Sequence, residues 1–381
     1  MKQQDRAIDM ASTWFMDAGY VNRQVFHIDG RAGTGKTYAV SKIIEKIGLD
    51  INRVAFATFS GKASLVLRRK GLPAQTIHHL IYDVKIESGK IKFVKKHALD
   101  FSLIVIDEAS MVGLGIWNDL LSFQIPIILL GDTNQLPPIG DTICNHTKPD
   151  ISLNEIIRQE FDNPIIKLSN EVLEGKLELD YGKYDNKVWV GPSEKITDKV
   201  MKKADIILCG KNVTRDDLNK HYRKNILGIE TDMPIDGDKL ICRKNNWNIA
   251  VGEDYPLING MIGYISDVLI TDNYSPVLYS NFRPDFLPED DFVNNKFENL
   301  CIDSRIFRET NPEKKKILLK DNINSSGEKF EYGYAITTHL AQGSEWNTVL
   351  CYFEYMGSSD FMRKWLYTAI TRSSNRLYLA Y

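Results

Sequence analysis

The sequence predicts an α/β fold in which two domains are each built on a parallel sheet flanked by helices. Short apolar runs rich in β-branched residues alternate with segments of helical periodicity, a pattern typical of strands that are buried on both faces. A stretch without clear periodicity separates two groups of such runs. The length of 381 residues fits two or three domains of roughly 100–200 residues each.

The predicted strands fall into two groups. The first group is Val25–Ile28, Val54–Thr58, Leu103–Ile106 and Ile127–Leu130, and the second group is Ile206–Cys209, Thr348–Tyr352 and Leu377–Tyr381. Because helical segments lie between these strands rather than after them, the chain belongs to the α/β class and not to a class with separate helical and sheet regions.

A β-hairpin is predicted to interrupt the first domain at about residues 81–97. If Ser88–Gly89 forms a two-residue turn, apolar pairs alternate with polar pairs along the ladder, as an antiparallel pair of strands requires. Residues 81–96 contain five lysines against two acidic residues. The hairpin is therefore locally basic.

A second interruption, over residues 265–331, is rich in Asn, Asp, Pro and Ser and predicts a small inserted β domain. The expected organisation is a first domain over residues 1–150, which contains the hairpin. The second domain is expected to combine residues 151–264 with residues 332–381, on either side of the insertion.

Composition excludes several functional classes. With 48 Lys and Arg against 50 Asp and Glu, the formal net charge is −2, and 43% of the residues are hydrophobic. A disordered chain is poorer in apolar residues, and a uniformly basic nucleic-acid-binding surface needs a positive excess. Any contact with nucleic acid must therefore be local.

The cysteines and the apolar stretches indicate an intracellular protein. The five cysteines are scattered and form no CxxC pair, which favours a reducing compartment over a disulfide framework or a zinc site. The apolar stretch Ile125–Leu130 is far shorter than the roughly 18 residues that a membrane span needs. The first residues contain no apolar signal core. We expect a cytoplasmic protein without a membrane segment.

Residues Gly30–Thr37 match the phosphate-binding loop pattern GxxxxGK[ST] and lie between a predicted strand and a helical run. The glycines of this loop allow backbone N–H groups to approach phosphates, and the N-terminus of the helix that follows adds a favourable partial charge. ATP is therefore the expected cofactor, bound by Gly33, Thr34 and Gly35 with Lys36 on the β- and γ-phosphates. Thr37 is expected to hold Mg²⁺.

Two further predicted strands end in polar residues that suit hydrolysis. Asp107 and Glu108 follow Leu103–Ile106, and carboxylates at this end of a parallel strand lie where α/β sheets bind ligands. Asp107 is expected to bind Mg²⁺ through water, and Glu108 is expected to activate the attacking water as a general base. Gln135 follows the next strand and is expected to contact the γ-phosphate and that water. In isolation, its segment is equally typical of a surface loop.

Taken in order, these motifs resemble those of superfamily 1 helicases, in particular the 1B branch that includes RecD and the compact phage helicase Dda. The matching segments are Gly131–Pro138 (GDxxQLPP), Thr58–Ala63 (PTGKAA), Gln75–Leu80 (TIHxLL), Leu153–Gln159 (ending in Arg-Gln), Tyr334–Glu345 (YAxTxHKxQGxE), Leu366–Arg372 (LYTAxTR) and Asn259–Gly263 (NGxxG). Gln4 resembles the adenine-reading glutamine of the branch. Leu340 stands where the branch usually has Lys.

The resemblance implies two RecA-like domains with ATP in the cleft between them, a strand-separating pin at the hairpin and an SH3-like inserted β domain. Arg158 and Arg372 would then act as arginine fingers on the γ-phosphate. Gly343 and Glu345 would lie on the nucleotide side, with Glu345 at the ribose. For Arg158, an ordinary surface ion pair is an open alternative.

The resemblance also implies a path for DNA. The residues assigned to it are Thr58, Ser60, Lys62, Thr76 and His78 in the first domain, Phe93 in the hairpin, and Asn259, Thr338 and His339 in the second domain. Three of these assignments have alternatives: Lys62 as a solvated helix charge, His78 as a buried or capping histidine, and Phe93 packed on Val84 instead of acting as the separating wedge.

The leading hypothesis is an ATP-dependent DNA helicase that moves 5′–3′ on single-stranded DNA and unwinds duplexes, with its direction implied by the resemblance alone. The alternatives are a translocase that displaces proteins and unwinds weakly, and a nucleotide-switched DNA-binding or loading protein. The expected partners are single-stranded DNA, duplex junctions and a single-strand-binding protein. We expect a monomer that serves replication, repair or recombination, in a bacterial host cytoplasm if the protein is phage-encoded.

Overall fold

The computed structural model describes residues 2–31, 33–69, 71–87, 90–137, 148–154, 163–251, 255–270, 272, 275–287, 295–321 and 327–381. The chain divides into two compact units. The first contains residues 1–87, 91–178 and 357–371, and the second is built from residues 179–356 and 372–381. No helix in the described ranges has the length and apolar character needed to cross a bilayer.

The first unit is built on one parallel sheet. Its elements up to residue 178 are α1 (Gln3–Met16), β1 (Val25–Gly30), α2 (Lys36–Ile47), β2 (Val54–Thr58), α3 (Gly61–Arg69), β3 (Ala74–Thr76), α4 (Ile77–Ile81), β4 (Tyr82–Glu87), β5 (Lys90–Lys95), β6 (Leu103–Asp107), α5 (Leu114–Leu121), β7 (Ile127–Gly131), β8 (Ile151–Leu153) and α6 (Pro164–Leu173). The strand order is β3-β2-β6-β7-β1-β8, and every pairing in it is parallel.

This sheet is buried on both faces because its central strands are apolar without alternation. Every residue of β2 and β7 is buried. On one face, α1 and α2 pack over Phe26, Ile28 and Phe56, and the buried residues of α2 recur every three or four positions, as an amphipathic helix requires. On the other face, α4 and α5 pack over Ile104 and Leu129. The predicted parallel α/β architecture is confirmed.

The hairpin strands lie where the sequence predicts them. β4 and β5 form a separate two-stranded sheet, and the backbone N–H of Lys96 donates to the carbonyl of Ile81 at 2.9 Å at its base. Its turn, Ser88–Gly89, lies outside the described residues. At the far edge of the main sheet, β8 pairs with β1, so the first unit continues beyond residue 150.

The second unit also contains a parallel sheet. The remaining elements of the chain are β9 (Gly182–Tyr184), β10 (Val188–Gly191), α7 (Asp198–Lys203), β11 (Ile206–Cys209), α8 (Asn212–His221), β12 (Lys239–Cys242), β13 (Asn246–Val251), β14 (Tyr255–Leu257), β15 (Ile262–Leu269), β16 (Val277–Pro284), β17 (Phe297–Asp303), α9 (Arg305–Arg308), α10 (Pro312–Lys320), β18 (Phe330–Tyr332), β19 (Ala335–Thr337), β20 (Trp346–Tyr352), α11 (Ser359–Ile370) and β21 (Ser373–Ala380). The sheet order is β19-β11-β20-β21-β10-β9, in which only the edge strand β9 is antiparallel to its neighbour.

An antiparallel sheet is inserted into this second unit, as predicted. Its strand order is β17-β16-β15-β12-β18, and because β12 belongs to it, the sheet begins before residue 265. Gly263 in β15 allows the close approach of the neighbouring strand, since an added Cβ would lie 2.2 Å from the carbonyl oxygen of Arg283. A buried ion pair joins Lys329 Nζ to Asp303 Oδ2 at 2.6 Å within the insertion.

Candidate functional site

The carboxyl ends of three neighbouring parallel strands meet at one edge of the first sheet. β1 ends at Gly30, β6 ends at Asp107 and β7 ends at Gly131, and β7 lies between the other two. Loops that leave this edge carry the ligand sites of open α/β sheets. The phosphate loop, the acidic pair and the segment of Gln135 therefore all start from one edge of the first unit.

The phosphate loop takes a conformation that requires glycine. Gly33 and Gly35 have φ values of +76° and +79°, where L side chains are disfavoured. An added Cβ on Gly30 would lie 2.7 Å from Thr34 Oγ1. The Lys36 ammonium donates to the carbonyls of Gly30 at 2.5 Å and Arg31 at 3.1 Å. A compact loop with a cation at its centre, ahead of the N-terminus of α2, is an anion site.

Gln4 lies beside this loop. Its side-chain Nε2 donates to the backbone carbonyl of Thr34 at 3.1 Å. Thr34 itself is fully buried, and its hydroxyl donates to the carbonyl of Arg31 at 2.8 Å. α1 thus brings the residue with the predicted adenine role into direct contact with the loop predicted to hold the phosphates.

The acidic pair has a strained backbone. Glu108 has a φ of +56°, in the left-handed region where a non-glycine residue is costly and which is concentrated at functional sites. Its backbone N–H donates to Asp107 Oδ1 at 2.8 Å. Both residues are half-buried. The strained turn therefore sets the direction in which the Glu108 side chain leaves β6.

The donors proposed for Mg²⁺ are chemically suitable. The side-chain hydroxyl of Thr37 and the carboxylate of Asp107 are hard oxygen ligands, and Mg²⁺ sites often combine one or two such groups with substrate phosphates. Among the described residues, no cluster of three or more His, Cys, Asp or Glu side chains could hold a metal by itself. These residues fit a phosphate-assisted magnesium site and not a closed protein cage.

Gln135 is buried, and its side-chain Oε1 accepts no hydrogen bond from the described part of the chain. An unsatisfied buried amide oxygen costs about 1–3 kcal/mol, so a partner from outside the protein would relieve it. The backbone holds the residue in place, since the N–H of Gln135 donates to the carbonyl of Asp132 at 3.0 Å. The segment is a loop, as its sequence allows, but Gln135 is buried in it and not exposed at the surface.

Sequence reasoning missed a network behind Gln135. The Tyr367 hydroxyl donates to Asp132 Oδ2 at 2.6 Å, and the backbone N–H of Leu136 donates to Thr368 Oγ1 at 3.0 Å. The segment Leu366–Arg372 thus supplies α11 residues to the first unit. The sequence shows two adjacent hydroxyl residues, Tyr367 and Thr368, but it does not show their partners, which lie more than 230 positions away in the chain.

A second buried acid supports the same loop. Asp29 in β1 accepts hydrogen bonds from the backbone N–H of Thr133 at 2.9 Å and from its hydroxyl at 3.3 Å. Burial raises the pKa of Asp29 despite these hydrogen bonds. The side chain therefore ties the end of β1 to the turn that follows β7, and it was not among the predicted site residues.

Three of the predicted DNA-binding hydroxyls in the first unit hold local backbone structure. Thr58 is fully buried and donates to the carbonyl of Ser60 at 2.7 Å. Ser60 Oγ accepts from the backbone N–H of Ala63 at 3.2 Å at the start of α3, and Thr76 is the N-cap of α4. These side chains position the two helices. Lys62 is half-buried in the first turn of α3.

His78 belongs to an aromatic cluster at the base of the hairpin. Its ring centroid lies 6.1 Å from Phe59, 5.9 Å from Tyr82 and 5.9 Å from Phe93. Burial lowers the pKa of His78. Phe93 is 50% exposed, and the side chain of Val84, its predicted packing partner, lies outside the described residues.

In the second unit, Thr338 and His339 follow β19. The backbone N–H of Thr338 donates to the carbonyl of Cys209 at 3.0 Å, and its hydroxyl is buried. His339 is half-buried, and burial lowers its pKa. Asn259 is exposed in the turn before β15, where its backbone N–H donates to Asn245 Oδ1 at 2.7 Å.

The predicted nucleotide-side residues of the second unit are linked to one another. Arg372 is buried, and its guanidinium donates to the carbonyl of Ser344 at 3.0 Å, between Gly343 and Glu345. Gly343 has a φ of +70°, and Glu345 is exposed. Arg158 lies outside the described residues.

Two protein families match this chain. Residues 16–194 match the AAA domain, and residues 332–380 match the UvrD-like helicase C-terminal domain. The first match covers the phosphate loop, the acidic pair and Gln135. The second begins at the last residue of β18 and extends through β21, including Arg372.

Curated relatives match over most of the chain. The ATP-dependent RecD2 DNA helicase of Deinococcus radiodurans is 27% identical over 93% of this chain and 46% of its own length. The RecBCD enzyme subunit RecD of Buchnera aphidicola is 26% identical over 94% of this chain and 70% of its own length. This chain thus spans less than half the length of the Deinococcus relative.

Solved structures share the fold at low sequence identity. Bacteroides Pif1 bound to single-stranded DNA superposes with a TM-score of 0.58 at 17% identity, covering 100% of this chain and 92% of that one. The Pif1 helicase of Candida albicans gives a TM-score of 0.54 at 16% identity, covering 100% and 94%. The likeness extends over both units.

Proposed function

We propose that this chain is an ATP-dependent DNA helicase of superfamily 1B, similar to RecD, that moves 5′–3′ on single-stranded DNA, and its two domain matches and the order of its motifs support this proposal. The observation that carries the proposal is the common edge of the first sheet. A lysine-centred phosphate loop, a strained acidic pair and a buried glutamine with an open acceptor leave that edge together. This combination serves hydrolysis of a nucleoside triphosphate.

The proposed chemistry divides the site residues by role. Lys36 binds the terminal phosphates, and the loop N–H groups of Gly33 to Gly35 orient them. Glu108 accepts the proton of the attacking water, and the open Oε1 of Gln135 holds that water in line. Mg²⁺, held by Thr37 and Asp107, would neutralise charge on the phosphates. Arg372 remains the proposed arginine finger.

The proposed track is single-stranded DNA at a duplex junction. His78 and Phe93 at the base of the hairpin, and Thr338 and His339 after β19, are the proposed contacts. The hairpin is the proposed strand-separating pin, the inserted sheet is the proposed SH3-like module, and the compact organisation is proposed to be that of Dda-type helicases. We further propose that the protein acts as a cytoplasmic monomer in cooperation with a single-strand-binding protein.

ATP turnover measured with and without single-stranded DNA tests the proposal first. We expect the oligonucleotide to stimulate turnover, because a motor couples hydrolysis to its track. ATP turnover that does not change when DNA is added would favour a nucleotide-switched binding or loading protein instead. Unwinding of duplexes with a 5′ or a 3′ tail then tests direction. Preference for the 5′ tail is expected, and preference for the 3′ tail would overturn the proposed polarity.

A further inference from the structure

We propose that the carboxyl edge of the second sheet carries a base-stacking surface for single-stranded DNA, formed by Tyr355 and Tyr181. This inference rests on the proposed function but names a binding site beyond it. The surface is a ladder of four aromatic rings from separate parts of the sequence. In order, the rings of the ladder are Tyr355, Phe353, Tyr381 and Tyr181.

The two inner rings are packed, and the two outer rings are open. Phe353 is buried, and its centroid lies 4.9 Å from Tyr381 and 5.2 Å from Tyr355. Tyr181 lies 6.3 Å from Tyr381 at the other end. Tyr355 and Tyr181 are 65% and 63% exposed. Two exposed aromatic rings held on a packed base offer flat apolar faces on which another ring can stack.

The backbone fixes this ladder rigidly. The N–H of Phe353 donates to the carbonyl of Ala380 at 2.7 Å, and the N–H of Tyr381 donates to the carbonyl of Gly191 at 3.0 Å. Each hydrogen bond continues the strand pairing one residue past the end of a strand. A stacking platform needs such rigidity, because the rings then lose little freedom when a base binds.

The ladder continues an edge that already carries proposed DNA contacts. The strand order β19-β11-β20-β21-β10-β9 places Thr338 and His339 after β19, Lys211 after β11, Tyr355 after β20 and Tyr181 at the start of β9. Lys211 has a half-exposed side chain whose ammonium lies 3.7 Å from Glu354 Oε1, and this exposed side chain can also reach a phosphate. The hydroxyl of Thr338 is buried, so the groups that this edge offers to a strand are imidazole, ammonium and aromatic side chains, which suit a single-strand groove.

Glu354, the carboxylate next to Tyr355 in the chain, does not oppose a nucleic acid ligand. Glu354 accepts hydrogen bonds from the backbone N–H groups of Gly210 at 2.6 Å and Lys211 at 3.0 Å, and from Thr214 Oγ1 at 2.7 Å. Its charge is thereby compensated inside the unit. Unpaired nucleobases are the ligand that the open rings favour, because every base presents a π-face and stacking does not depend on sequence.

Oligonucleotide binding to the full chain tests the inference. Tyr355→Ala and Tyr181→Ala are each expected to weaken the affinity for oligo-dT by roughly fivefold or more, whereas Tyr355→Phe retains the ring and the affinity. Ile317→Ala, at a residue 66% exposed on α10, is the matched control and should bind normally. Turnover without DNA should stay at the wild-type value in all four variants.

Oligonucleotides with abasic positions separate stacking from indirect damage. The wild type should bind the abasic oligonucleotide more weakly than oligo-dT. The double variant that combines Tyr355→Ala and Tyr181→Ala should lose less affinity on the same change, because the rings that stack on the bases are already absent. Equal losses in both proteins would overturn the inference, as would normal oligo-dT binding by the alanine variants. A wild type that binds no single-stranded DNA would instead overturn the proposed function together with this surface.

Discussion

Two glutamates, one at the carboxyl edge of each parallel sheet, show how differently the two units use the same architecture. Glu108 follows β6 on a strained backbone with a φ of +56°. Glu354 follows β20 and accepts three hydrogen bonds that close the turn between β11 and α8. The first carboxylate is set up at a conformational cost, while the second satisfies backbone groups of its own unit.

The difference agrees with the proposals that the first edge serves hydrolysis and the second edge serves binding. The first edge keeps an open acceptor on Gln135 and a cation inside a glycine-rich loop. At the second edge, the Glu354 carboxylate is satisfied by hydrogen bonds, and the rings of Tyr355 and Tyr181 are exposed. Strain and unsatisfied groups lower stability and persist where function requires them. Substituting each glutamate in turn tests this division.

The largest effect is expected from Glu108→Gln. Loss of the general base should lower ATP turnover by about 10²–10⁴-fold, while the fold survives, because the amide keeps the size of the side chain. Lys36→Ala should be equally inactive, because it removes the cation from the phosphate loop. Steady-state ATPase rates check both, with Glu45→Gln, in an exposed pair on α2, as the control. Normal rates in either variant would contradict the assignment of the first edge.

Glu354→Ala should act on stability instead of chemistry. It removes three hydrogen bonds and leaves the N–H groups of Gly210 and Lys211 unpaired, so we expect a loss of about 3 kcal/mol. Denaturant titration measures the loss, and ATPase activity per folded molecule should be retained. Glu194→Ala, at an exposed position of the same unit, is the control. If Glu354→Ala were as stable as the wild type, the structural role assigned to Glu354 would be contradicted.

Local features of this comparison could be predicted from the sequence, and distant ones could not. The phosphate loop and the strands that carry Asp107 and Gly131 follow from short runs of residues whose period and glycine positions determine their structure. The strain at Glu108 depends on the turn that it enters, which no local pattern indicates. The contact of Tyr367 with Asp132 joins segments far apart in the chain, and so does the ladder that includes Tyr181.

Within the first unit, the hairpin depends on a single carboxylate. Tyr82 in β4 donates to Asp119 Oδ2 at 2.5 Å, and Lys95 in β5 lies 3.7 Å from the same carboxylate. Asp119 belongs to α5, which follows the acidic pair along the chain. Burial and this hydrogen bond raise the pKa of Tyr82 to about 12. One side chain of α5 thus anchors both strands of the hairpin.

Tyr82→Phe should therefore loosen the hairpin without touching the phosphate site. We expect a loss of about 1 kcal/mol in stability and a larger fall in duplex unwinding than in DNA-stimulated ATP turnover. Asp119→Ala should loosen the hairpin at least as much, because it also removes the ion pair with Lys95, and adding Tyr82→Phe to Asp119→Ala should cause little further change. Asp100→Asn, in the exposed pair with Arg53, is the control. Parallel losses of unwinding and turnover would show that the anchor serves the whole unit and not the hairpin.

The smallest effect concerns proton binding by histidines in the two regions proposed to contact DNA. Burial lowers the pKa of His78 and His79 in the first unit and of His339 in the second, each from an ordinary value of 6.5. Below that value the unfolded chain binds more protons than the folded chain, so stability should fall as the pH drops from 7 and level off once the folded histidines are protonated. His339→Gln should remove the part of this pH dependence that comes from the second unit. We expect that part to be less than about 1 kcal/mol in the free energy of unfolding. Denaturant titrations at pH 7.5 and 5.5 measure it, and an unchanged pH profile in His339→Gln would mean that the histidines of the first unit account for all of it.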